Sequence, residues 1–569
     1  MPKMNGAQAL LKVLKEQGVE VIFGIPGGVT IPVYDALYDE PDLRHILVRH
    51  EQAAAIAAEG YARRSGKVGV CCATSGPGAT NLVTGLADAM MDSIPMVAIT
   101  GQVKTPAIGR DAFQEADVTG ITNPITKNNR LIKRPEDLIG TVREAFYLAS
   151  SGRQGPCLVD LPMDISMAEV DWYDEPTNGN FDLEGYNPPG EGDPQAVEAA
   201  AKLIAESEKP LLYVGGGVVS ANGRDEIRAL AKKTDIYVVN TLLGKGAFPE
   251  TDSQSLGMPG MHGTAYASYA INHCDLMIAV GARFDDRVTG DLKTFAPGAK
   301  VIHIDVDPAE IGKNRDADVG ILGDAKLVLA QMVEAVDERK RGAWEDHLDE
   351  YRAEHPLFIP ACEGVYPQYV VNEIFNVTNG EAIVATEVGQ HQMWAAQLYR
   401  CAEPRQFLSS GGLGAMGFGF PAAIGAQVAS PDMPVFNIAG DGSIQMNIQE
   451  LATCVHEKLP IKVAILNNGT LGMVRQWQEL LFDKRYSGVD LAGNPPFAEV
   501  CNAYGGAGRT ITKREDVRDA IEWSLGINDR PVFMDFKVEP EECVFPMIPA
   551  GRSFGDLWEN LDDVPGGGK

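Results

Sequence analysis

Apolar runs recur along the chain, each closing in a polar or glycine-rich turn and each followed by a stretch with helical periodicity. The first block holds VEVIFGIPGG, VGVCCATSGPG and IPMVAITG and closes near GPCLVDLPMDI. A second block carries KPLLYVGGGVVS, IYVVNTLLGKG, CDLMIAVGARF and KVIHIDVDP, and a third carries EAIVATEVGQ, PVFNIAGDGS, KVAILNNGT and PVFMDFKVE. Apolar strands that alternate with helices predict doubly wound parallel sheets of the α/β class, one per block. Between the first two blocks, DEPTNGNFDLEGYNPPGEGDPQ is a linker by composition, and the charged helical stretch DERKRGAWEDHLDEYRAEHPL precedes the third. The expected domains are residues 1–172, 190–340 and 365–548, with a C-terminal tail over 549–569. Ligands of such sheets sit beyond the carboxyl ends of the strands, so the strand-end loops are where chemistry is sought.

Composition supports this division. A chain of 569 residues is too long for one core and suits about three domains. Its net charge of −29, from 49 basic and 78 acidic residues, excludes a large surface for nucleic acid or anionic membrane. No stretch has the length and apolarity of a membrane span, and MPKMNGAQALLKVLKEQGVEVIFG reads as an amphipathic helix running into a strand, not as a signal peptide. Nine cysteines without a CxxC pair suggest a reducing compartment, the cytoplasm, and no cysteine-based metal site.

The third block carries the first chemical signal, GDGS at 440–443 followed by Asn467-Asn468-Gly469. Asp441 and Asn468 would each stand just past a strand, offering hard oxygen ligands suited to Mg²⁺, while Gly440 and Gly442 would let backbone N–H groups approach a phosphate. Either piece alone is an ordinary turn former. Together, in this window, they arise by chance in on the order of one chain in a thousand. The pair resembles the thiamine diphosphate (ThDP) signature. That resemblance implies Mg²⁺ held by Asp441, Asn468 and the carbonyl of Thr470, with EVGQHQM contributing Gly389, Gln390 and His391 to the diphosphate. It also implies that Met416 of GGLGAMGFG props the cofactor in a bent form and that Ser443 and Met473 touch it.

In the first block an alanine-rich helix opens on an acid, Glu51, in RHEQAAAIAAEGYAR. Alone, Glu51 would be a first-turn acid complementing the helix dipole. Beside the ThDP signature, the stretch resembles the family's glutamate motif, whose carboxyl hydrogen-bonds the cofactor's pyrimidine ring nitrogen. The small alanines would pack the helix closely and keep water from that carboxyl. In the family this glutamate reaches ThDP held by another subunit, which implies a homodimer or a dimer of dimers.

LLYVGGGVVSANG and IHIDVDPAEIGK in the middle block are weak nucleotide-binding signals. GMHG at 260–263 and GARFDDRVTG at 281–290 resemble FAD-binding segments of acetohydroxyacid synthase (acetolactate synthase) catalytic subunits, a likeness that runs from FGIPGG through DAFQEADVTGIT and LGMVRQWQ to FPMIPAG. It makes the three domains pyrimidine-binding, FAD-contacting and diphosphate-binding. It implies FAD contacts at Arg153, Gly215, Gly216, Thr241, Leu242, Met261, His262, Gly281, Arg283, Asp285, Glu310 and Asp324. Arg287 and Trp477 would form the pocket of the second 2-ketoacid, an Arg fork gripping its carboxylate and an indole limiting its alkyl group. Gly28 and Gln114 would line the reacting centre with Phe113 beside the flavin or ThDP, while Lys127 receives no role.

The implied reaction decarboxylates pyruvate on ThDP and condenses the hydroxyethyl intermediate with pyruvate or 2-ketobutyrate, giving 2-acetolactate or 2-aceto-2-hydroxybutyrate for branched-chain amino acids. FAD would be largely structural, and regulation would come from a separate small subunit. Ile25, Lys104 and Met163 depart from the family's usual Tyr, Pro and Lys; the last two lie where the family's inhibitors contact the substrate channel, which bears on inhibitor sensitivity and not on the chemistry. The nearest alternative is a ThDP- and flavin-dependent pyruvate oxidase, against which GARFDDRVTG and Trp477 argue.

Overall fold

The computed structural model describes residues 3–174, 181 and 183–565, so part of the stretch expected to be a linker lies outside the described residues. Three parallel sheets carry the chain. The first orders its strands Arg44–Leu47, Val21–Gly24, Gly69–Ala73, Met96–Gln102, Pro156–Pro162 and Asn128–Leu131. The third runs Phe407–Leu408, Ile383–Thr386, Val435–Gly440, Lys462–Asn467, Val532–Lys537 and Ala507–Ile511. Both visit these positions in the same chain order, so they are two copies of one topology. The middle sheet has five strands, Val238–Asn240, Pro210–Val214, Leu276–Val280, Lys300–Asp305 and Val319–Leu322. In all three, the chain starts next to one edge, adds that edge strand, and then crosses to the other side. Each crossing leaves a switch point between the first strand and the strand added after it, where a crevice opens at the carboxyl ends.

Every strand expected from an apolar run is present. The edge strands Asn128–Leu131, Val319–Leu322, Phe407–Leu408 and Ala507–Ile511 go beyond that expectation. They are short or half-exposed, and a strand that faces water on one side carries no continuous apolar run.

The first and third units share one core. The crossover helices Glu51–Ser65 and Gly419–Ala429 hold equivalent places in their sheets and pack directly on each other. Their contact face is alanine and glycine: a Cβ on Gly60 would lie 2.3 Å from the Ala422 carbonyl oxygen, and one on Gly425 would lie 1.9 Å from that of Ala57. Only glycine permits this backbone approach.

The helix Ala343–Glu354, beyond position 340, places Trp344 and Leu348 in the middle core with Tyr213 and Val301. Near the C-terminus, Met547 pairs with Trp558 and these pack with Met261 and Trp477, joining the middle and third units. All nine cysteines are free thiols. Among the described residues no helix is long and apolar enough to cross a membrane.

Candidate active site and cofactor cavities

The switch point of the third sheet lies between Ile383–Thr386 and Val435–Gly440, and a cleft opens there. It is lined by Gly389, Gln390, His391, Met416, Gly440, Asp441, Gly442, Ser443, Asn468, Thr470 and Met473, every third-block position expected at ThDP and its metal. Asp441 follows the strand Val435–Gly440, and Asn468 follows its parallel neighbour Lys462–Asn467, so the strand register sets the two ligands side by side. Burial pushes the Asp441 carboxyl up to about 6, and Asn494 donates to its Oδ2 at 2.6 Å. Gln390 orients Asn468: its Oε1 accepts from Asn468 Nδ2 at 3.2 Å, while the Asn468 Oδ1 accepts from the Thr470 amide at 3.1 Å and keeps a lone pair. A carboxylate and an amide oxygen in this setting fit a small divalent cation carrying phosphate oxygens.

The His391 ring stands against Gly389 and Gly440, where a Cβ on either would come within 2.7 Å of it. Burial pushes His391 down to about 3, so the ring is neutral, and its Nε2 has no partner within the chain. The Thr470 hydroxyl is likewise buried without a partner. Unpaired buried polar atoms are costly, so these two mark where a bound group completes the site.

Glu387, which the sequence did not single out, is buried at the end of Ile383–Thr386. Its carboxyl accepts from the Gly417 and Phe420 amides, both at 2.9 Å, and from the Ser443 hydroxyl at 2.7 Å. It thereby ties the Met416 loop to the GDGS turn, and burial raises its pKa. Nothing in a lone glutamate after an apolar strand signals this role.

A larger cavity of about 430 Å³ opens at the switch point of the middle sheet. Arg153, Gly215, Gly216, Thr241, Leu242, Gly281, Arg283, Asp285, Glu310 and Asp324 line it, as does Arg287. The volume is in the range of a small-molecule site. Its floor requires glycine, since a Cβ on Gly215 would lie 2.1 Å from the Gly281 carbonyl oxygen. Arg153, from the first unit, reaches Glu310 at 2.7 Å and Asp307 at 3.1 Å, while the Glu310 Oε2 lies buried without a partner. A dinucleotide offering phosphates to glycine amides and hydroxyls to strand-end acids fits this donor set. Thr241, Asp285 and Asp324 also cap the turns or helices that follow them.

Met261 and His262 do not line that cavity. Met261 packs with Trp477 and the C-terminal segment, and His262 lies buried with its Nδ1 3.3 Å from the Pro546 carbonyl. GMHG thus forms the joint between the middle and third units. Arg287 has its guanidinium 5.9 Å over the Trp477 ring, a pairing of the two residues expected around the second ketoacid.

Glu51, Gly28 and Gln114 come from the first unit, and none of them lines the cleft of Asp441 and Asn468. Glu51 opens its helix half-buried, and its Oε2 accepts from Asn81 Nδ2 at 2.9 Å. The alanines behind it are fully buried, but the carboxyl itself is not sealed from solvent in one chain. Gly28 has open space where a Cβ would be. Gln114 takes a left-handed φ of 59°, its backbone pressed against Gly76. Such conformations cost about 1 kcal/mol and cluster at functional sites. Phe113 is 89% exposed and lines neither cavity. Lys127 is structural: its ammonium donates to the carbonyls of Leu148 and Ser151 at the end of the helix Leu138–Ser150 and to the Tyr186 hydroxyl.

Residues 4–121, 197–332 and 387–536 match the N-terminal TPP binding, central and C-terminal TPP binding domains of the thiamine pyrophosphate enzymes. The acetolactate synthase of Mycobacterium bovis is 51% identical over 569 aligned residues, covering 98% of this chain and 92% of the relative. The acetolactate synthase large subunit of Corynebacterium glutamicum is 49% identical over 566, covering 98% and 90%. That of Parasynechococcus marenigrum is 52% identical over 560, covering 97% and 90%.

Proposed function

The chain belongs to the thiamine pyrophosphate enzymes, among the acetolactate synthase large subunits, and on that premise we propose that it joins two 2-ketoacids at a site built by two copies of itself. The carrying observation is the third-sheet cleft, where Asp441, Asn468 and the partnerless His391 and Thr470 side chains face one space. ThDP, when bound, supplies a carbon nucleophile that also accepts the electrons released by decarboxylation of pyruvate.

This chain's residues do the rest. Asp441, Asn468 and the Thr470 carbonyl would hold Mg²⁺ with the diphosphate, and Gly389 and Gly440 leave their backbone open to it. Met416 and Met473 wall the cleft. The Glu51 carboxyl of a second copy holds a proton at the pyrimidine nitrogen and, with Gly28 and Gln114 beside it, excludes water from the reacting centre. Arg287 grips the carboxylate of the second ketoacid, pyruvate or 2-ketobutyrate, and Trp477 bounds its alkyl group. The middle cavity would hold FAD, with Gly215, Gly216, Gly217 and Gly281 offering amides to phosphates and Glu310 an acceptor to hydroxyls. A small regulatory subunit would act from outside this site.

Purified chain supplied with ThDP, Mg²⁺ and FAD tests the proposal. 2-Acetolactate should be the main product from pyruvate. Acetaldehyde, or peroxide formed with consumption of oxygen, as the main product would refute the carboligase reading, the latter in favour of a pyruvate oxidase.

A further inference from the structure

The start of the Glu51 helix is held from outside its own unit. The Arg49 amide donates to both carboxylate oxygens of Glu450, at 2.9 Å and 3.2 Å, and Glu450 belongs to the third unit. Glu450 is fully buried, and the Thr453 hydroxyl donates to its Oε2 at 2.6 Å while standing 3.3 Å from the Leu47 carbonyl. Downstream, the Gln52 amide donates to the His50 ring at 3.1 Å. The turn Arg49–His50–Glu51 is therefore fixed on one side by its own cap and on the other by a carboxylate of the third unit.

The converse contact exists as well. Asp92, buried on the helix Val83–Asp92 of the first unit, accepts from the Gly411 and Gly412 amides at 2.9 Å and 2.7 Å. Those glycines open the loop that carries Met416 into the crossover helix Gly419–Ala429. In each of the two like-folded units, a carboxylate that follows the third strand of the sheet, counted in from the crossover edge, grips backbone amides just before the other unit's crossover helix. A buried carboxylate accepting amide N–H groups is a strong, directional bond. The two contacts are a reciprocal clamp.

We propose that Glu450 is a positioning residue that sets the Glu51 carboxyl by clamping the Arg49 amide, so that the third unit of each chain places the glutamate which that chain delivers to its partner's cofactor. The inference rests on Glu51 acting at the pyrimidine. In the assembled pair it links the two reaction centres: the helical turn Ile448–Glu450 follows the GDGS turn that binds one cofactor, and through Arg49 it orients the acid serving the other. Within the first unit the Arg49 side chain also donates to the Leu47 carbonyl at 2.6 Å, so among the described residues Glu450 is the group from outside that unit which holds the Arg49 amide.

The test combines Glu450→Ala and Glu450→Gln, with Glu51→Gln as reference. In hydrogen–deuterium exchange of the cofactor-free chain, the amides of residues 49–52 should exchange at least about ten-fold faster in Glu450→Ala. In the ThDP- and Mg²⁺-loaded protein, exchange of the cofactor's reactive ring proton and kcat should both fall about ten- to a hundred-fold, with KM for pyruvate changed far less. Glu450→Gln keeps one acceptor oxygen and should lie between Glu450→Ala and the unaltered chain in all three readouts. It also decides the matter if Glu450→Ala does not fold. Unchanged exchange at residues 49–52, or a loss of kcat without slower loss of the ring proton, overturns the clamp. Fast ring-proton exchange in Glu51→Gln would instead sink the role of Glu51 and leave the amide result to stand by itself.

Discussion

Burial without a counter-charge decides the ionisation of two histidines, His262 in the joint between the middle and third units and His391 in the third-sheet cleft. Burial pushes His262 down to about 4 and His391 down to about 3. The unfolded chain takes up a proton at His262 near pH 6.5 and the folded chain only near 4, so this group's contribution is full above 6.5 and is lost as pH falls through that window. Buried carboxyls raised by burial, such as Asp441 and Asp160 near 6, act in the opposite direction. The clean readout is therefore a difference: between pH 7 and 5, His262→Asn should lose about 2 kcal/mol less stability than the unaltered chain, measured by denaturant unfolding. Equal losses would show that His262 is not held neutral. Residues of this kind divide sharply in how far the sequence reveals them. Asp441, Asn468 and Glu51 stand in motifs with fixed neighbours, and their places at strand and helix ends follow from apolar periodicity. Asn494, Asn81, Glu387 and Glu450 act through contacts distant in sequence, and no local pattern distinguishes a lone polar side chain that meets its partner only after folding. In GMHG, Met261 and His262 pack in the joint between the middle and third units, a contact distant in sequence.

At the level of elements, the central strands were legible because both faces are covered and most positions are apolar. The edges were not, since Ala507–Ile511 and Asn128–Leu131 are only partly buried and carry no continuous apolar run. The pairing of the helices Glu51–Ser65 and Gly419–Ala429 was half legible. Alanine richness announces close packing, but only the structure says that the partner is the equivalent helix of the third unit. That crossing has almost no slack. Gly425→Ala would drive a methyl group into the Ala57 carbonyl and should destabilise the chain by about 1–3 kcal/mol, read as a lower unfolding midpoint. Because the displaced backbone belongs to the Glu51 helix, carboligation should fall along with stability. Gly18→Ala, at an open surface position, controls for backbone effects: its φ of +74° is strained for alanine, but no neighbour lies within 4 Å. It should cost stability without loss of activity per folded molecule.

The molecule as a whole is two copies of one sheet topology facing each other across a shared core, with a third sheet alongside that encloses the larger cavity. This arrangement makes one chain insufficient. Its third-sheet cleft contains Asp441, Asn468 and Thr470, proposed to hold the metal, but not Glu51, Gly28 or Gln114, which stand on the first unit, half-buried or in open space. On the proposed function, two chains paired about a twofold axis, the first unit of each against the third unit of the other, would supply both halves twice. The central claim is thus that each reaction centre takes its acid from one chain and its metal from another. Subunit mixing tests it most directly. Glu51→Gln and Asp441→Ala chains, each nearly inactive alone, are mixed, dissociated and reassembled, and acetolactate formation is measured. Random pairing puts half the chains in mixed dimers, each with one intact centre, so activity should return to about a quarter of that of the unaltered enzyme. No recovery, in mixtures shown to contain mixed dimers, would mean that each chain completes its own site and would contradict the account.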